Sequence, residues 1–157
     1  MPVPRSADEQ EAGAFRRPET AMSSDDRDLG RVLENLLHRA PGTRHVLMLS
    51  RDGLKVGHSP GLDVDAADQL SAIAAGIAAL ALSASAEFGS GLGAGQAMVE
   101  FPGGVLLIVP AGEGAHLAVV AAEDADVGMV AHYMNEMVEQ IGVHMTVAPR
   151  RPAASTP

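Results

Sequence analysis

Apolar residues return every three or four positions along SDDRDLGRVLENLLHRA, at Leu29, Val32, Leu33, Leu36, Leu37 and Ala40. That spacing predicts an amphipathic helix, capped by Ser24 or Asp25 and stopped at Pro41-Gly42. The period then shortens. RHVLML and LKVGHS flank Asp52-Gly53, a dipeptide suited to a tight turn, and predict a β-hairpin. A second helix is expected from about Val64 to Phe88, with Asp63, Asp65 and Asp68 at the end where the helix dipole favours negative charge. The glycine-rich GSGLGAG leads into QAMVEF, VLLIVP and HLAVVA, which PGG and AGEG join into an antiparallel meander. Asp124 is expected to cap a last helix carrying Val127, Val130, Met134, Met137, Val138, Ile141 and Met145 on one stripe.

The predicted order is α-β-β-α-β-β-β-α. VLML and VLLIV are apolar on both faces of their strands, so helices must cover both sides of the sheet. The fold class is α/β, an α/β/α sandwich on a five-stranded, mostly antiparallel sheet. The chain of 157 residues suits one core. Residues 1–23 and 148–157 are polar and proline-rich and are expected to be disordered tails on a single domain of residues 24–147.

Composition narrows the function. A formal charge of -9 disfavours nucleic acid and anionic membrane surfaces as partners. Without cysteine there is no disulfide, thiol nucleophile or thiolate metal site, and the N-terminal segment carries no apolar signal region, so a cytoplasmic setting is expected. No phosphate-binding loop, HExxH or GxSxG sequence is present. GSGLGAG precedes a strand and opens no helix, so it reads as a linker and not a dinucleotide fingerprint. Asp63, Asp65 and Asp68 lack the glycine and distal glutamate of a calcium loop and read as helix-capping acids. His132 and Glu136, one helical turn apart, read as surface neighbours before an acid/base couple. The expectation is a protein that is not an enzyme and holds neither cofactor nor metal.

The second helix is the informative element. On a 100° wheel, Leu70, Ile73, Ile77, Leu80, Ala84 and Phe88 gather on one side and are expected to face the sheet. Ala72, Ala75, Ala79, Leu82 and Ala86 lie opposite, and no charged residue occurs from Gln69 to Ala86. An outer face so bare suits cover by the same helix of a second copy, whereas a merely alanine-rich exposed helix is the plain alternative. Membrane insertion is disfavoured by the small residues and flanking acids. The strand GQAMVEF alternates Gln96, Met98 and Glu100 with Ala97, Val99 and Phe101; it reads either as an edge that pairs with its twin or as one blunted by Glu100. The expected dimer interface is therefore Ala72, Ala75, Ala79, Leu82 and Ala86 with Gln96, Met98 and Glu100.

Every lysine and arginine of the expected folded part precedes residue 56. Arg44, Arg51 and Lys55 form either a patch that steers one protein partner or charge carried for solubility.

The stretch LENLLHRAPGTRHVLMLSRDGLKVGHSPGLDVDAADQLSAIAAGIAALA, followed by GGVLLIVPAGEGAHLAVVA and a final NEMVEQIG helix, resembles the Roadblock/dynein-light-chain family over about residues 25 to 145. It looks closest to the actinobacterial, conservon-type members encoded beside a sensor kinase and a small Ras-like GTPase. The resemblance implies a profilin-like fold that homodimerises through its long second helix and an edge strand. It also implies a non-catalytic regulator or adaptor of a Ras-like GTPase in bacterial signalling, recruited to the membrane, if at all, by a partner. Two other functions stay open: a scaffold or input module for a membrane sensor histidine kinase without GTPase contact, and a small-ligand sensor, for which the alanine-rich helix offers little polar equipment. A role of the longer N-terminal tail in tethering is a further alternative to plain disorder.

Overall fold

The computed structural model describes residues 24–91, 95–112 and 114–146; both expected tails lie outside them. The elements are α1 (Ser24–Arg39), β1 (Thr43–Ser50), β2 (Lys55–His58), α2 (Val64–Phe88), β3 (Ala97–Phe101), β4 (Gly104–Pro110), β5 (Ala115–Ala122) and α3 (Val127–Thr146). This is the order α-β-β-α-β-β-β-α that the periodicities predict.

The strands form one sheet in the order β2-β1-β5-β4-β3, and all four pairings are antiparallel. Alternation along β1 sends Val46 and Met48 to one face and Leu47 and Leu49 to the other, so each strand feeds two cores. Between the sheet and the helices α1 and α3 lie Leu33, Leu36, Val46, Met48, Leu107, Val119, Val130 and Met134. Beneath α2 lie Leu47, Leu49, Leu62, Leu106, Ile108 and Ala118. α1 and α3 are tied at the surface by Arg39, whose guanidinium stands 3.8 Å from the Glu136 carboxylate and 5.1 Å over the Tyr133 ring.

Local chemistry sets the element ends. Asp63 caps α2, its Oδ1 accepting from the Ala66 N–H at 2.8 Å. α3 is capped by Asp126, which accepts from the Met129 N–H at 3.1 Å, and not by Asp124 as expected. The reason is that a turn closed by Ala125 N–H to Ala122 O follows β5 and delays the helix by two residues. Gly53 takes φ 83° in the hairpin turn, a conformation that costs glycine nothing.

α2 is rotated from the expected orientation. Its buried residues are Ala67, Ser71, Ala74 and Ala78, whereas Ile73, Leu80, Ala84 and Phe88 of the stripe expected to face the sheet are exposed. Leu70 and Ile77 are half-buried at the margin. The physical cause lies in the sheet. Leu47, Leu49, Leu106 and Ile108 already fill the space between the layers, and close packing at interior density leaves room there only for small side chains on the helix.

Candidate interaction surface

With its small residues turned inward, α2 shows its larger ones to solvent. Ile73 is 54% exposed, Leu80 71% and Phe88 88%. The orientation of the helix is fixed by the hairpin: a Cβ built on Gly53 would stand 3.2 Å from the Ala75 Cβ. The flank bearing Ala75 therefore faces the β1–β2 turn, and the flank bearing Ile73, Ile77 and Leu80 looks away from it.

β3 adds to this surface. It is an edge strand, in register with β4 at five consecutive pairs from Ala97↔Ile108 to Phe101↔Gly104. Ala97 and Val99 stand opposite Ile108 and Leu106, which lie under α2, so Val99 and Phe101 belong to the α2 side of the sheet. Val99 is 37% and Phe101 41% exposed. The α2 flank and the α2 side of β3 together make an uncharged aliphatic and aromatic surface beside an unpaired strand edge.

The two edges of the sheet are finished differently. β2 has four residues, its register with β1 breaks between Met48 and Leu49, and it carries Lys55. Shortness, a bulge and lysine are the usual guards against a strand adding to an edge. β3 is five residues long, keeps its register without a bulge and carries no lysine; its one charge, Glu100, lies on the α1/α3 side of the sheet.

The residues singled out in the sequence are placed as follows. Ala72, Ala79, Leu82 and Ala86 are exposed on α2, while Ala75 is half-buried and packs on the core beneath the helix. Met98 and Glu100 stand opposite Leu107 and Val105, on the α1/α3 side of the sheet, and Gln96 Nε2 donates to Asn135 Oδ1 on α3 at 3.2 Å. The residues of the expected interface thus lie on opposite faces of the sheet, and the exposed apolar surface also holds Ile73, Leu80, Phe88, Val99 and Phe101, which were not among them. Their signal was present: apolar residues occupy both flanks of α2, and size alone favoured burying the larger set.

Of Arg44, Arg51 and Lys55, the last two flank the β1–β2 turn and Arg44 stands at the other end of β1. Arg44, at the start of β1, donates from Nη1 to Gly103 O at 3.3 Å; Arg51 lies beyond the other end of that strand. Lys55 Nζ is held 2.9 Å from Asp68 Oδ1 on α2. One opening acid of α2, Asp68, therefore reaches the hairpin and pairs one charge of the basic region.

Candidate chemistry dissolves in the same way. Asp63 is a cap and Asp68 an ion-pair partner. Glu136 faces Arg39, while His132 sits edge-on to Tyr133 with ring centroids 5.6 Å apart. Among the described residues no group of three or more His, Cys, Asp or Glu side chains is placed to hold a metal ion. The crevice between α1 and α3 has a volume of about 10 Å³, and a groove of about 470 Å³ at the β3–β4 turn, lined by Glu100, Phe101 and Glu123, is open to solvent. α2 is the one helix among the described residues long and apolar enough to cross a membrane. Its inward side is packed on the sheet.

Residues 30–121 match the Roadblock/LC7 domain. The chain belongs to the Roadblock/LC7 family. A Roadblock/LC7 domain structure from Streptomyces avermitilis shares 33% identity, with a TM-score of 0.71, over 74% of this chain and 97% of that one. MglB in a tetrameric arrangement is 22% identical, with a TM-score of 0.67, over 81% of this chain and 95% of that one. Profilin II of Acanthamoeba castellanii, at 14% identity and a TM-score of 0.50, covers 72% of this chain and 95% of its own. The Roadblock/LC7 sandwich of this chain is therefore profilin-like. No curated protein sequence matches the chain.

Proposed function

We propose that the protein is a non-catalytic homodimeric regulator of a small Ras-like GTPase in a bacterial signalling system. Family membership supports a regulatory adaptor. The observation that carries the homodimer is the regular β3 edge, free of any bulge, lying beside the exposed Ile73, Leu80 and Val99 side chains. Pairing of β3 with its twin would satisfy the free backbone groups of that edge, and the same step would cover the aliphatic flank of α2. The tetrameric arrangement of MglB is an instance of self-association in a related fold and supports this reading.

The outer face of α2, bare of charge from Gln69 to Ala86, is then doubled by symmetry into a platform for the GTPase. Contact there would bias the order of the GTPase switch segments, because a partner that binds one conformation better shifts the population toward it. The setting is cytoplasmic, with any membrane recruitment supplied by a partner.

The test is titration of the purified protein into a Ras-like GTPase encoded beside it, loaded in turn with GDP and a non-hydrolysable GTP analogue, with GTP turnover followed in parallel. Binding in one nucleotide state is expected. Absence of binding in both removes the proposal, and capture by the cytoplasmic part of a neighbouring sensor kinase would then point to a scaffold.

A further inference from the structure

We propose that His116 makes the seat of α2 sensitive to acid, so that protonating its imidazole loosens the helix from the sheet and weakens the dimer. The effect on the dimer rests on the homodimer reading above; the effect on the helix does not.

His116 stands on β5 between Leu49 of β1 and Pro110 of β4. Strand alternation puts it on the same face as Ala118, which belongs to the core under α2. The Gly53–Ala75 approach sets α2 over this end of the sheet. Both imidazole nitrogens are buried and neither has a hydrogen-bond partner among the described residues. The Ser71 hydroxyl on the inward side of α2 is likewise buried and unpartnered. The ring nitrogens thus lie against an otherwise aliphatic interface, while His116 as a residue is half-buried near the start of β5.

A neutral imidazole leaves one N–H and one lone pair unmet there, whereas an imidazolium would bring two N–H donors and a full charge. The neighbouring elements offer that charge little. α2 carries no charged residue between Gln69 and Ala86, and its Asp68 is engaged by Lys55 of β2, which stands across Leu49 from His116; β1 presents Leu49, and β4 presents Pro110. The β1–β2 turn presents Arg51, a like charge, and the exposed Asp52; Glu113 of the adjoining turn lies outside the described residues. Burial, and then the charge of Arg51, hold the His116 imidazole below the ordinary histidine value of about 6.5. The unfolded chain consequently binds more protons than the folded one as pH falls through 6.5, and stability is lost from there down through the folded value. His45, on the same face at the other end of β1, is lowered in the same way by burial and then by Arg44, so its share must be separated.

The experiment follows urea unfolding of the full chain from pH 7.5 to pH 5.5, for wild type, His116→Phe and His116→Gln, with the His116 ring titrated by NMR in the wild type. The folding constant of the wild type is expected to fall about tenfold for each pKa unit by which folding lowers the group. His116→Phe should retain only the smaller loss due to His45. Sedimentation at pH 5.5 should find the wild-type dimer weaker than the variant's. A His116 midpoint at or above 6.5, or a loss in the two variants as large as in the wild type, overturns the proposal. If neither variant folds, the ring titration decides. A wild type that is already a monomer at pH 7.5 but keeps the stability slope would refute the homodimer and leave the acid-sensitive seat standing.

Discussion

Leu80→Ala separates a covered α2 flank from a solvent-facing one. The side chain is 71% exposed in the single chain, so its removal costs the fold little. Full burial of a leucine is worth about 2–3 kcal/mol, of which about 1.5–2 kcal/mol would be gained when a second copy covers what is now exposed. Two-fold symmetry repeats the contact, giving about 3–4 kcal/mol per dimer, of which alanine keeps a part. Leu80→Ala should therefore weaken the dimer by about 2–3 kcal/mol, or roughly 30- to 150-fold in dissociation constant. Sedimentation velocity of fluorescently labelled protein from nanomolar to micromolar concentration measures this, and an unchanged urea midpoint for the diluted monomer confirms that the fold is intact. A dissociation constant within about threefold of wild type, or a wild-type protein already monomeric at micromolar concentration, would refute the assignment of this flank. Glutamate at Ala75 would not serve as a test, because that residue packs on the core beneath α2 and a charge there would damage the fold itself.

Two stability measurements probe the frame that presents the surface. Asp63→Ala removes the acceptor for the Ala66 N–H and should cost about 1 kcal/mol, read as a lower urea midpoint with an unchanged slope; no shift would mean that the cap is unimportant to the seating of α2. Met134→Ala, at a fully buried site between the sheet and α3, should cost about 2–5 kcal/mol, and a loss well under 1 kcal/mol would contradict the packing described there.

Element order was legible because each segment of this chain keeps a clean period. The three-four spacing from Leu29 to Ala40, the doubly apolar VLML and VLLIV, and Asp52-Gly53 each admit one local structure. The facing of α2 was not legible, because both of its flanks are apolar and uncharged, so periodicity gives no direction. What decides the direction is the volume already taken by Leu47, Leu49, Leu106 and Ile108, and those residues meet the helix only after the sheet has formed. The same limit applies to Lys55, whose ion pair with Asp68 joins residues 13 apart through a helix–hairpin contact that no local pattern encodes. β3 was recognisable as an edge from its place in the meander, but the side of the sheet on which Val99 lies depends on its register with Leu106. The cap of α3 turned on two aspartates two residues apart, where sequence preference is equal and the length of β5 decides.

The contrast between the rims of the sheet has a consequence for growth. A rim that is short, kinked and lysine-bearing refuses a further strand, while the straight rim at Ala97–Phe101 accepts one. In the homodimer proposed above, each twin would use up the place where another could attach, and only refusing rims would remain at the two outer ends. Assembly of this kind would terminate itself at two chains and would keep a bare aliphatic border from seeding fibres.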